Sequence, residues 1–209
     1  MSSASERYRE SYLGDYGFES VLVAYRRRQV LDRMALRKPR VVLEIGCGPE
    51  LLYEHYRADF GDVDAWLVVE PVAAWCELAR GSDLPGLRVV EGYFEAVGEE
   101  IALAMPRAPD MIICSGVLQQ VPDAEQFLAA IRLTMSPASL LHASVANELS
   151  LHRRLAVAMG LIPTPGTPSK RNQSGQQLRS YQMASFASEM ERAGFRIEAR
   201  GGHLSLIHI

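Results

Sequence analysis

Five short runs of β-branched and aliphatic residues recur along the chain, and the stretches between them carry helical spacing. RVVLEIG occupies 40–46, DAWLVVEP 64–71, LRVVEG 87–92, DMIICSG 110–116 and SLLHASVA 139–146. Apolar runs this short and this continuous suit strands buried on both faces. The helical stretches are Pro49 to Tyr56, Val72 to Arg80, a weaker one at 95–105, and a run from an Asp123 cap to Met135. In the last, Phe127, Leu128, Ile131 and Met135 share one side. Strand and helix in alternation give an α/β chain with a parallel sheet covered on both faces. Right-handed crossovers then gather the strand carboxyl ends along one edge, where ligands bind at the reversal of strand order.

The flanks are less regular. Residues 1–20 are polar with interspersed tyrosines, and VLVAYRRRQVLDRMALRK (21–38) reads as an amphipathic helix. Val21, Leu22, Tyr25, Val30, Leu31 and Met34 form its apolar side, and Arg26, Arg27 and Arg28 its solvated face. Pro39 stops it. After the fifth run, 147–161 reads as helix, 163–177 as a loop rich in Pro, Gly, Ser and Gln, and Met183 to Ala193 as a helix ended by Gly194. FRIEAR (195–200) has the alternation of a late strand.

Composition excludes several classes. A chain of 209 residues with 48% apolar and 22% charged residues suits one globular domain. The net charge of −3 gives no global pull toward nucleic acid or an anionic membrane. Cys47, Cys76 and Cys114 are odd in number and in no metal-ligand spacing, which fits a reducing, cytoplasmic setting. No apolar run approaches the roughly 20 residues of a membrane span. The start, MSSASERYRESYLGDY, is too polar for a signal peptide.

The sharpest local signal is VVLEIGCGPE (41–50), a strand that runs straight into Gly46-Cys47-Gly48, with Pro49 suited to a first helical turn. Glycines permit a tight turn and the close approach of a ligand, and a helix start offers unpaired N–H groups. A structural βα turn is the alternative. A dinucleotide site would carry a third glycine where Leu51 stands, and a phosphate-gripping loop would end in Lys and Ser or Thr. Glu70 ends the second strand, where a carboxylate can accept both ribose hydroxyls of a nucleoside. Its alternative is a solvated strand end. Tyr93 and Phe94, after the third strand, offer rings to an adenine face or pack beneath the next helix. After the fourth strand, Ser115 and Gly116 leave room for a ligand, while Val117 and Leu118 read as core.

In this order the stations resemble the class I S-adenosylmethionine-dependent methyltransferases over about residues 40–146. LEIGCG is similar to the family's first motif, Glu70 to its ribose-binding acid, GYFE to its adenine turn, and SGVLQQVPD to the segment after its fourth strand. The resemblance implies a Rossmann-like three-layer sandwich with a mostly parallel sheet, S-adenosylmethionine as cofactor and methyl transfer as activity. It implies Glu44, Gly46, Cys47 and Gly48 as the methionine-side loop and Glu70 with Pro71 as the ribose station. Tyr93 and Phe94 fall at the adenine turn, with Ser115 and Gly116 completing the cofactor set. Many relatives carry an acid where Tyr93 stands, and Glu or His followed by His where Gln119 and Gln120 stand, so no base is borrowed from there.

YGFESVLVAYRRR and HASVANELSLHRRLAVAMGLI look like a little-characterised bacterial subgroup acting on small molecules, some near sugar and cell-surface biosynthesis. Ala146 and Glu148 depart from its usual V-P-N-A-x-S-x-H-R stretch. The class usually ends in an antiparallel hairpin of strands six and seven. FRIEAR supplies the sixth, and the seventh is expected to be missing. LSLIHI is similar to the translation of a transposon end, which implies native sequence to about His203. The alternative is a genuine short strand through Leu204, Leu206 and Ile207. The expected division is a helical lid at 1–38, the methyltransferase domain at 39–203 with an acceptor region at 147–182, and a non-native tail at 204–209.

An oxygen or nitrogen acceptor must lose a proton, often to His or a carboxylate. His152 falls where the fifth strand leads into a helix, near the ligand edge, and is the candidate base. His142, inside the strand, reads rather as a structural histidine. Arg153 suits an acidic group of the acceptor, and Arg154 suits solvent. The 163–177 loop with Lys170 and Arg171, together with Tyr12, Tyr16 and Phe18, would form a lid. The expected partner is thus a small-molecule acceptor, with no nucleic acid, membrane or metal. A catalytically inactive S-adenosylmethionine-binding protein is the first alternative, and an NAD-dependent oxidoreductase, disfavoured by Leu51, the second.

Overall fold

The computed structural model describes residues 19–167 and 178–202. Tyr12, Tyr16, Phe18, Lys170, Arg171 and the LSLIHI tail lie outside the described residues. The five apolar runs are the five strands of one sheet: β1 Val41–Ile45, β2 Ala65–Glu70, β3 Leu87–Glu91, β4 Met111–Ser115 and β5 Leu140–Ser144. All pairings are parallel, in the order β3-β2-β1-β4-β5. The order reverses between β1 and β4, so the carboxyl ends of β1, β2 and β4 frame the crevice where a ligand is expected. The start of β1 is fixed by Asp110, whose Oδ2 accepts the N–H groups of Arg40 at 2.8 Å and Val41 at 2.9 Å.

Period-two alternation sorts the strand residues onto two faces. On one, Val42, Trp66, Val68, Met111 and Ile113 pack against Val30, Leu31 and Met34 of α1 (Glu19–Arg37) and Leu52, Tyr53 and Tyr56 of α2 (Leu52–Phe60). Tyr53 stacks on Trp66 with ring centroids 4.7 Å apart. On the other face, Leu43, Ile45, Leu67, Val69, Ile112 and Cys114 meet Phe127, Leu128 and Ile131. In chain order the remaining helices are α3 (Ala73–Gly81), α4 (Gly98–Ala104), α5 (Ala124–Thr134), α6 (Leu151–Ala158) and α7 (Met183–Arg192). Asp123 caps α5 as expected, its Oδ1 accepting the Gln126 N–H at 3.0 Å. No helix among the described residues is long and apolar enough to cross a membrane.

Three sequence expectations are corrected. Pro49 does not open α2; the helix begins at Leu52, because Gly46 and Gly48 both take positive φ and carry the chain further around the turn. The helical stretch after β5 is shorter than 147–161, since Asn147 instead bridges Tyr181 before α6 starts. The weaker helical stretch at 95–105 is present as α4, preceded by a 3-10 turn at Phe94–Ala96. FRIEAR is not a strand. Phe195 and Ile197 do pack on the core, and Arg37 pairs with Glu198. The main chain of 195–200 joins no ladder among the described residues, and a strand needs a partner for its backbone groups.

Candidate functional site

The glycine turn leaves β1 while still tied to β2, through the Gly46 N–H and the Val69 carbonyl at 2.9 Å. Gly46 has φ +75°, and a Cβ there would meet Val117 Cγ2 at 2.6 Å. Both conditions demand glycine. Gly48 has φ +63° and faces open space, with no atom within 4 Å of where a Cβ would be. Gly116, at φ +72° after β4, is equally open. Two bare stretches of backbone thus flank the crevice between β1 and β4.

Glu70 braces this turn from the end of β2. Its carboxylate is 2% exposed. Oε2 accepts the Gly48 N–H at 3.3 Å, and Oε1 reaches past half-buried Pro71 to accept the Val72 N–H at 2.9 Å. The Cys47 thiol lies 3.9 Å from Oε2 and donates to the Gly48 carbonyl at 3.3 Å. Burial raises the Glu70 pKa, while the N–H groups of Val72 and Gly48 pull it down. Burial also pushes the Cys47 thiol pKa up, helped by the Glu44 and Glu70 charges, which favours the protonated thiol.

Glu44 lies one face position below the turn and is also buried. It accepts Trp66 Nε1–H at 2.9 Å and the Leu52 N–H at the start of α2. Burial lifts its pKa to about 7. The side chain that sequence reasoning missed is Arg27. It was assigned to a solvated face, yet its side chain is only 17% exposed, pairs with Glu50 just after the turn, and lowers the pKa of Glu44. The signal was present in the sequence: Arg27 stands three, four and seven residues before Val30, Leu31 and Met34, on the buried stripe.

The remaining sites separate. Tyr93 is 54% exposed after β3, whereas Phe94 is buried edge-on against Phe127, with centroids 5.6 Å apart. Of the two expected adenine contacts, Phe94 is therefore a core residue. Ser115 Oγ is buried at the end of β4 with no hydrogen-bond partner among the described residues. Leaving a buried hydroxyl unmet costs about 1–3 kcal/mol. His152, exposed on α6, has Nε2 3.4 Å from Ser150 Oγ, and desolvation and Arg153 lower its pKa. Arg153 donates from Nε to the Pro165 carbonyl and from Nη2 to the Thr167 carbonyl. Arg154 is exposed, as expected. His142 Nδ1 is buried and unpartnered among the described residues, and burial lowers its pKa. A depression of about 450 Å³ lined by Glu54, Arg57, Gly61, Asp62 and Leu84 lies at the opposite edge, before β2. No cluster of potential metal ligands occurs among the described residues.

A family model described as a methyltransferase domain matches residues 22–200. The chain belongs to this methyltransferase domain family. Trans-aconitate 2-methyltransferase of Methylobacterium radiotolerans is 26% identical over 155 residues, which are 72% of this chain and 56% of that protein. The chain therefore spans little more than half the length of this curated relative. Among solved structures, the fold is similar to the plantazolicin methyltransferase BamL in complex with a triazolic desmethylPZN analog and SAH. That match has TM-score 0.59 and 13% identity, covering 91% of this chain and 73% of that one. A SAM-dependent methyltransferase from Archaeoglobus fulgidus matches with TM-score 0.55 and 16% identity over 81% of this chain and 69% of its own. The family match begins inside α1.

Proposed function

We propose that this methyltransferase domain binds S-adenosylmethionine across the carboxyl ends of β1, β2 and β4 and transfers its methyl group to a small-molecule acceptor by O- or N-methylation. The observation that carries this reading is the glycine turn, held by the buried carboxylate of Glu70, with open backbone at Gly48 and Gly116 and the unmet Ser115 hydroxyl in the adjacent strand. These residues fit the group. Glu70 is a ribose acceptor anchored by two backbone N–H groups, Tyr93 supplies an exposed ring, and Gly46, Cys47, Gly48 and Glu44 form the methionine-side wall.

When bound, S-adenosylmethionine supplies an electrophilic methyl group on a sulfonium. The chain's own part is chiefly positional, and holding two reactants in an attack geometry is worth several kcal/mol. His152 is proposed to accept the acceptor's proton at an imidazole nitrogen. Its lowered pKa keeps that ring neutral, and so able to accept, near pH 7. That the Methylobacterium relative is a trans-aconitate 2-methyltransferase supports a small acid as the first acceptor to try.

The test is transfer of label from methyl-tritiated S-adenosylmethionine to a panel containing trans-aconitate, nucleotide sugars and small amines, with duplex DNA and RNA beside them. Label in a small molecule and none in nucleic acid is the expected result. Donor binding with no transfer to any small molecule would favour an inactive binding protein, and label in nucleic acid would overturn the acceptor class.

A further inference from the structure

The chain makes one long excursion from the ligand edge. It leaves after β5, runs through α6, and returns ahead of α7. A single residue on a different strand's loop holds both feet of this excursion. Gln119 sits half-buried in the 3-10 turn Leu118–Gln120 that follows β4. Its side-chain Oε1 accepts the N–H of Ala146, where the excursion begins, at 2.8 Å. Its main-chain carbonyl accepts the N–H groups of Leu178 at 2.9 Å and Arg179 at 3.2 Å, where it ends.

Neighbouring bonds tie the same two feet to each other. The Glu148 N–H donates to the Tyr181 carbonyl at 2.8 Å, Gln182 Nε2–H donates to Glu148, and Asn147 bridges Tyr181. Higher up, Arg153 holds the carbonyls of Pro165 and Thr167. Closing a long loop is entropically unfavourable, and bonds at its base offset that cost for everything above them. Asn147, Ser150 and His152 lie just past the first foot, so their placement depends on how firmly Ala146 is held.

We propose that Gln119 is the positioning residue of the acceptor side: its amide oxygen and its main-chain carbonyl clasp the chain where it leaves at Ala146 and where it returns at Leu178 and Arg179, and so set the position of His152 relative to the methyl-transfer crevice. This rests on the methyltransferase reading above. It also gives a physical reason for glutamine at this position. The Ala146 N–H needs an oxygen acceptor at the reach of a three-carbon side chain, which Glu also supplies and Leu does not.

The experiment compares the full chain with Gln119→Leu and Gln119→Glu. Three quantities are read: S-adenosylhomocysteine binding by calorimetry, amide hydrogen exchange at 145–148 and 178–181, and KM and kcat for the first acceptor labelled in the panel above. For Gln119→Leu, losing one hydrogen bond at the first foot predicts exchange at both feet faster by about fivefold or more, and an acceptor KM raised by a similar factor. Donor affinity stays within about twofold of the parent, because among the described residues the Gln119 bonds run to Ala146, Leu178 and Arg179 and not to the glycine turn. Gln119→Glu restores both exchange and KM. Unchanged exchange and KM in the Leu variant, or failure of Glu to restore them, would overturn the clasp. Absence of donor binding in the unaltered chain would instead overturn the methyltransferase reading, while the exchange comparison would still decide the clasp.

Discussion

Replacing Glu44 with glutamine perturbs a carboxyl that is 5% exposed and whose burial raises its pKa from 4.5 to about 7. The Trp66 and Leu52 donors and the Arg27 charge oppose that rise, and the Glu70 charge adds to it. The sign follows from proton binding. Below pH 4.5 the group is protonated in both the folded and unfolded chains. Between there and about 7 the unfolded chain gives up its proton while the folded chain keeps it, so stability falls as pH rises. Above about 7 both forms are ionised and the loss is complete. Each unit of difference is about 1.4 kcal/mol, so the whole loss is about 3 kcal/mol. Glu44→Gln removes the titration and keeps an oxygen for Trp66 and Leu52. Urea unfolding of both proteins across about pH 4 to about pH 8 should show the variant gaining about 3 kcal/mol relative to its parent as pH rises. A difference that does not change with pH would refute a raised pKa at Glu44. A difference that shrinks with pH would mean that Arg27 stabilises the carboxylate more than burial destabilises it.

Two alanine substitutions in the glycine turn should separate folding from binding. Gly46→Ala brings a Cβ to 2.6 Å from Val117 at φ +75°, so thermal unfolding should show a loss of about 2–3 kcal/mol. Gly48→Ala meets no protein atom, so its stability loss should stay near 1 kcal/mol while S-adenosylhomocysteine binding falls by about tenfold or more. Equal effects on binding and stability in both variants would contradict an open cradle at Gly48. His152→Ala should lower turnover without changing donor affinity, and the parent's rate should fall as pH drops through the lowered pKa of His152. An unchanged rate would remove it as the base.

The sheet was legible because a strand buried on both faces must be written in continuous apolar residues, and Val41–Ile45 and Ala65–Glu70 are fully buried. Glu70 was legible for the converse reason, a lone carboxylate at the end of such a run. What remained hidden depends on pairings distant in sequence. FRIEAR has the alternation of a strand, but alternation does not supply the neighbour that its backbone needs. Phe94 and Tyr93 are adjacent aromatics, and only the position of Phe127 sends one inward. Asp110 tying down the start of β1 and Gln119 reaching Ala146 link residues in different strand loops, which no local pattern encodes. Arg27 was the avoidable miss, since a charge run hid one member that shares the apolar stripe.

Calorimetric titration of the purified chain with S-adenosylhomocysteine, beside Glu70→Ala and Glu70→Gln, tests the central claim most directly. The account predicts micromolar binding by the parent. It predicts that Glu70→Ala weakens binding by about tenfold or more, because a charged hydrogen bond to the ribose is worth about 1.5–3 kcal/mol. Glu70→Gln keeps an acceptor for Val72 but turns its NH2 toward the Gly48 N–H, and should bind more weakly than the parent. A folded parent that binds no S-adenosylhomocysteine, or variants that bind as tightly as the parent, would contradict it: the glycine turn and its carboxylate would then be features of the fold alone.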